Sequence, residues 1–318
     1  MVDAVVSGID CVAVPFFFIA SGFLCFNSLS AADFGERTSA GSARVRSTIK
    51  RQLSLYATWT VILLPLALFG ACLRDWGVLE AFAHLARGAL LVGENDFTWP
   101  LWYLLASVVA FSLVYIMLRE GVSPRAVLVV SFSLLLLGYA IQCLDGWGGA
   151  PEPIATLLRG YFLVFGTVRN GLFEGFFYVA VGMLLGISSS KGKGAWPLTT
   201  VLPCLAVGLV GSVFVSPDAH LPFAGLLAVS VFVLSVRRTG VTAHPWARRA
   251  STVVYLVHMV FVVLFVYGVV GHTEVGFLDA PIPHLALYAF AVGGSLLVAA
   301  LVIPLARRVP LVKRVFGI

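Results

Sequence analysis

Val14-Pro15-Phe16-Phe17-Phe18-Ile19-Ala20-Ser21-Gly22-Phe23-Leu24 is an uncharged run with further apolar residues on both sides. A helix needs about 20 mostly apolar residues to cross a bilayer. The run lies inside such a stretch, Ile9 to Leu29. The rest of the chain reads the same way. Of its 318 residues, 60% are hydrophobic and 11% charged, and the mean hydropathy is +0.99. A soluble domain carries about 25% charged residues. This chain has too few to cover itself with a water-facing surface, so the expected solvent is a lipid bilayer. The length would suit about two soluble domains. No long polar stretch separates the apolar runs, however, and one membrane domain over 1–318 is expected.

Nine segments have the length and composition of spans: Ile9 to Leu29, Leu55 to Leu73, Trp99 to Leu118, Ala126 to Leu144, Leu172 to Ile187, Trp196 to Val215, His220 to Val236, Ser251 to Gly271 and His284 to Ala306. The fifth is short and is allowed to begin earlier, near Phe162. Gly77 to Gly93 has helical periodicity but carries Glu80, His84 and Arg87, which suits a helix lying in the interface. The fold class is therefore all-α, a polytopic bundle of about nine membrane helices.

The loops orient this bundle. With the N-terminus outside, 17 of the 21 Lys and Arg residues fall in inner loops and four, Arg74, Arg87, Arg159 and Arg169, fall outside. Basic residues favour the cytoplasmic side. A multi-pass protein of the cell membrane follows, N-terminus outside as written and C-terminus cytoplasmic. One more helix upstream would make ten spans and bring the N-terminus inside. No Lys or Arg precedes the first apolar run, so a cleaved leader is not expected.

The same loop distribution accounts for the formal charge of +6, and nucleic acid is not an expected partner. The five cysteines, Cys11, Cys25, Cys72, Cys143 and Cys204, show no CxxC or zinc-ligand spacing and read as small packing residues. His84, His220, His244, His272 and His284 lie in loops or at span ends with no carboxylate at a ligand spacing. No metal site is expected. No GxGxxG, P-loop, HExxH or GxSxG motif occurs.

Several motifs, in order, resemble those of the acyltransferase-3 family of integral membrane acyltransferases. The Val14 to Phe23 run is similar to the family's VPxFFxxSGF helix. Lys50-Arg51-Gln52-Leu53 runs into Tyr56 and Trp59, where the family has a basic helix start. Trp99-Pro100-Leu101-Trp102-Tyr103-Leu104 is similar to its LWFL. Arg169-Asn170-Gly171-Leu172-Phe173 leads to Gly182-Met183-Leu184-Leu185-Gly186. Ser251 with Tyr255-Leu256-Val257-His258 resembles its S…YLxH, and the basic tail from Pro304 to Phe316 is also family-like.

The resemblance implies about ten helices and transfer of an acyl group from cytoplasmic acyl-CoA, with acetyl-CoA the first expectation. The acceptor implied is a hydroxyl on a carbohydrate, lipid or cell-wall component. No bound cofactor is implied, and acyl-CoA is a co-substrate. The family's essential histidine lies on its first helix. The resemblance covers helices two to ten, and no His precedes His84, so that role passes to no residue of this sequence.

The chain's own polar residues supply weaker candidates. Ionisable groups in a span cost about 2.5–3.5 kcal/mol near the bilayer centre and persist when paired, hydrated or useful. Glu174 either orients an acceptor hydroxyl or is a carboxylate at headgroup level. Arg169 either pairs with Glu174, binds an anionic acceptor or anchors at the interface. His258 is a proton acceptor, a donor contact or a satisfied core histidine, and it shares a helix face with Tyr255 and Ser251. Lys50 and Arg51 either bind the phosphates of CoA or flank a span. Trp99, Trp102 and Tyr103 either stack on a sugar or belong to an aromatic belt. Two other function classes stay open: a small-molecule or lipid transporter, and a non-catalytic membrane partner.

Overall fold

The computed structural model describes residues 2–35, 39–190, 197–214, 221–237, 244–274 and 282–318. Arg37, Lys191, Lys193, Trp196, Val215, His220 and Arg238 lie outside the described residues. In chain order the helices are α1 (Val2–Phe26), α2 (Ala40–Ile62), α3 (Leu64–Leu73), α4 (Val78–Arg87), α5 (Trp102–Arg119), α6 (Pro124–Trp147) and α7 (Glu152–Phe165). Then come α8 (Phe176–Ser190), α9 (Leu198–Phe214), α10 (Leu221–Arg237), α11 (Pro245–Val263), α12 (His284–Leu305) and α13 (Pro310–Phe316). The described residues form no strand. The protein is an all-α membrane helix bundle.

Within the described residues, each of the nine expected spans contains a helix. Five stretches are long and apolar enough to cross a membrane alone: Trp99–Arg119, Pro124–Trp147, Gly171–Ser189, Pro245–Val269 and His284–Leu305. A sixth is the pair α2 and α3, bent by 49°. Pro65 sits in the first turn of α3, where its missing N–H and fixed φ break the ladder. Three shorter apolar helices, Val12–Phe26, Leu198–Ser212 and Pro222–Arg237, occupy the remaining positions. The fifth span does not run back to Phe162. Gly166, at φ 71°, ends α7 in a left-handed turn, so Tyr161 and Phe162 belong to a separate 14-residue helix. In the Gly77 to Gly93 stretch, α4 buries none of its residues and leaves Val78, Leu79 and Phe82 exposed.

The chain divides into two compact units, residues 1–50 with 106–241, and 51–105 with 242–318. In the first, α8 packs against α1, and glycines let the backbones approach. A Cβ on Gly22 would lie 2.5 Å from the Val179 carbonyl oxygen, and one on Gly182 would lie 2.2 Å from that of Ile19. Gly186 is similarly close to Phe23 and Asn27 of the α1 end. Lipid tails are as apolar as side chains, so small residues and close packing hold membrane helices together. Aromatic contacts extend this core: Phe23 and Phe16 meet Phe232 of α10 edge-on, and Phe26 stacks on Phe111 of α5. Arg44 of α2 donates to the carbonyls of Leu24 and Asn27, at 2.8 and 3.0 Å, closing the last turn of α1.

Between α1 and α2, Asp33 accepts from the backbone N–H and the hydroxyl of Ser30, at 2.6 and 2.8 Å. These donors, the backbone one first, hold the Asp33 carboxyl below its ordinary value.

The second unit has its own core. Tyr56, Trp59, Leu104, Val253, Leu256 and Ile303 cluster there. Trp59 Nε1 donates to the Val315 carbonyl at 2.9 Å, and Phe316 meets its ring edge-on, which ties the C-terminal helix down. Arg74 forks onto Asp96 at 2.7 and 2.8 Å. Behind that pair, Phe97 is fully buried at φ 63°, a left-handed conformation costly for a bulky residue.

Two outcomes test this packing. Gly182→Leu should lower thermal stability in detergent by about 1–3 kcal/mol, the usual cost of overpacking, while Gly146→Ala, with nothing within 4 Å, should not. Asp33 has a depressed folded pKa, so its contribution is present above the unfolded value and lost as pH falls through the folded one. Asp33→Asn should therefore melt earlier than the wild type at pH 7, and the gap should close as pH drops below the ordinary carboxylate range.

Candidate functional site

In the first unit the site is built at the entry to α8. Asn170 caps it: Oδ1 accepts from the N–H of Leu172 at 3.0 Å and of Phe173 at 3.1 Å. Its Nδ2 donates to the Tyr161 hydroxyl at 2.9 Å. Residues Gly171–Gly175 then form a π turn, a wide turn often found at functional sites. Gly171 has room for no side chain, since a Cβ there would lie 2.5 Å from the Ala106 carbonyl oxygen. With Gly171 and Gly175 wedged against α5 and Phe18, Glu174 turns inward and is only 5% exposed. Its carboxylate is thus covered by the side chains of this unit.

Arg169 Nε donates to Glu174 Oε2 at 3.3 Å. Their side chains are 37% and 6% exposed, so the guanidinium is the outer member of the pair. The expected pairing of these two residues is present. It offsets the cost of a buried carboxylate, which alone would be prohibitive.

The pair stands at one end of a cavity of about 400 Å³, within the range of small-molecule sites. Leu128, Phe132, Leu136, Gly138 and Tyr139 of α6 form one wall, Phe177, Tyr178 and Val181 of α8 a second, and Pro222, Gly225, Leu226 and Val229 of α10 a third. Gly138 lets Phe173 approach, since a Cβ would lie 2.8 Å from its ring, and Gly225 makes space for the Tyr178 hydroxyl. The sequence reading missed Tyr139, Tyr178 and these glycines. The Asn170-Gly171 pair at a helix start was the available signal for the cap.

The second unit holds another group of sequence candidates. Trp99-Pro100-Leu101 form a 3₁₀ turn leading into α5. Tyr255 donates its hydroxyl to the Pro100 carbonyl. The Tyr103 ring meets that of Tyr255 edge-on, centroids 5.9 Å apart. Trp99, Trp102 and Tyr103 are half-buried, and at least Tyr103 is engaged in packing.

His258 Nδ1 lies 2.9 Å from the Tyr255 carbonyl oxygen and 3.1 Å from that of Val254. Carbonyls only accept, so in the neutral ring the proton sits on Nδ1 and Nε2 keeps its lone pair. The shared face of Ser251, Tyr255 and His258 does not become a relay. Ser251 is exposed and donates back to Arg248 of its own helix, and Tyr255 points its hydroxyl at Pro100.

Lys50 and Arg51 are adjacent and exposed on α2. Among the described residues, no three His, Cys, Asp or Glu gather as a metal site would need.

A serine/alanine racemase of Enterococcus gallinarum is 32% identical over 211 residues, covering 66% of this chain and 28% of that protein. The chain thus spans less than a third of the length of that curated relative. No solved structure matches. The acyltransferase domain family matches residues 2–303, nearly the whole chain and both of its units. The protein belongs to the acyltransferase-3 family of membrane acyltransferases.

Proposed function

We propose that this protein moves an acyl group, acetyl in the first instance, from cytoplasmic acyl-CoA to a hydroxyl of a carbohydrate, lipid or cell-wall acceptor, an O-acylation serving the cell envelope. It would work as a multi-pass protein of the cell membrane with its C-terminus cytoplasmic, as the basic loops favour. The observation that carries the chemistry within this chain is the Nε2 lone pair of His258. O-acyl transfer needs a group that takes the acceptor's proton and later returns it, and an imidazole suits both steps.

In this reading His258 Nε2 removes the hydroxyl proton as the oxygen attacks the thioester carbonyl. The tetrahedral intermediate collapses by breaking the C–S bond, and the CoA sulfur leaves with the proton from His258. Glu174 suits this role less well, because its carboxylate already accepts from Arg169. Holding the ring by Nδ1 to two main-chain carbonyls costs no further side chain and fixes the tautomer.

Lys50 and Arg51 supply exposed positive charge midway along α2, just before its apolar stretch, where the phosphates of CoA would be held. Trp99, Trp102, Tyr103 and Arg169 are the acceptor-side candidates, the aromatic rings for stacking and the guanidinium for charge.

His258→Gln keeps the ring's volume roughly and removes the base. Its expected effect is a fall in kcat of about 10²–10⁴-fold with little change in KM for acetyl-CoA. The readout is release of free CoA thiol by the full chain in reconstituted membranes. Lys50→Ala with Arg51→Ala should instead raise KM for acetyl-CoA. Full turnover by the monodisperse His258→Gln protein would end the assignment of the base, and no acetyl-CoA-dependent turnover by the wild type on any hydroxyl acceptor would end the transferase reading.

A further inference from the structure

We propose that the cavity between α6, α8 and α10 seats a membrane-anchored acceptor: an amphiphile with a hydrocarbon chain along α6 and an anionic, hydroxyl-bearing head at Arg169. The assignment as acceptor rests on the acyl-transfer reading above; the seat for the chain rests on geometry alone.

The lining is apolar along most of its length. It runs on α6 from Leu128 to Tyr139, which at 1.5 Å per residue is about 16 Å. The hydrocarbon core of a bilayer is about 30 Å thick, so the cavity is as deep as one leaflet. A soluble sugar would gain nothing from such walls and would lose its water. One lipid chain matches both their length and their chemistry.

Entry is from the side. Phe132 and Leu136 line the cavity and are themselves 46% and 51% exposed, so this wall opens toward lipid and a chain can slide in laterally.

The two ends differ in charge. Among the lining residues one cation, Arg169, and one anion, Glu174, stand together. Glu174 is sealed in while Arg169 is about a third exposed, so the mouth presents the positive member. An anionic headgroup, such as a phosphodiester, complements that mouth. The charged end also lies on the side that the basic-loop asymmetry assigns to the outside, so the bound lipid would belong to the outer leaflet, its chain pointing toward the bilayer centre.

The test uses the full chain in lipid nanodiscs doped with phosphatidylglycerol that carries a diazirine in one chain. After illumination, adducts are mapped by peptide mass spectrometry. Adducts should concentrate on segments 128–139, 173–181 and 222–229, above the level on the exposed face of α12. Val229→Trp, which fills the cavity, should lower adducts on those segments about tenfold and leave those on α12 unchanged. Arg169→Gln should erase the preference for this probe over a diazirine phosphatidylcholine. Should Val229→Trp fail to fold, competition of unlabelled phosphatidylglycerol against phosphatidylcholine on the wild type answers the same question.

Adducts no denser at the cavity than on α12, or unaffected by competition, overturn the seat. Equal acylation of a water-soluble sugar by wild type and Val229→Trp, with no lipid product, overturns its role in holding the acceptor while the transferase stands. Cavity labelling that behaves as expected, in a protein that turns over no acyl-CoA, supports the seat and removes the transferase reading instead.

Discussion

The contact between α1 and α8 is the constraint from which the first unit follows. Water is absent from the bilayer core, so burial of apolar surface cannot pull two helices together there. Backbone proximity does this work, through Gly22 on one helix and Gly182 and Gly186 on the other. With α8 pinned along that seam, its remaining faces are committed. One carries Phe173, Phe177 and Val181 toward α6 and α10, and the turn that begins it must place Glu174. A bulkier residue at any of the three glycines would move the ion pair and the cavity along with the helix.

Several of the charged and titratable side chains have a structural partner. Glu174 is buried, but a guanidinium five residues back meets it. Arg44, counted from the sequence as a loop cation, closes the end of α1 with its guanidinium. In the second unit Arg74 and Asp96 hold a turn in which a buried phenylalanine takes a left-handed conformation. His258 gives one nitrogen to its own helix, which is why its other nitrogen has a defined chemical character.

Much of the architecture was legible in the chain because a bilayer imposes one rule on every span, about 20 apolar residues satisfied by their own helix. Within the described residues each expected span holds a helix, five of them long and apolar enough to cross alone, and the motif order from Val14 to His258 pointed to the family. The pairing of Arg169 with Glu174 was also readable, since two opposite charges five residues apart at a helix start have few alternatives. The cavity was not. Its walls come from residues such as Leu128, Tyr178 and Val229, far apart in sequence and individually ordinary for a membrane helix. The break at Gly166 escaped notice because Phe162 to Phe165 are apolar enough to continue a span. The tautomer of His258 needed coordinates, since it depends on which carbonyls lie within hydrogen-bond distance.

The π turn at Gly171–Gly175 has a consequence for how this segment can change over generations. Such a turn holds one residue more than an α turn, and here it opens α8, because Asn170 before it is extended. Removing one residue from it would shift the point at which the chain enters the helix by about 100° around the axis, carrying Asn170 and Arg169 off the face that Glu174 occupies. Substitutions here can be gradual, but a change in length cannot, and lineages that keep the ion pair must keep the count of residues between Asn170 and Phe176.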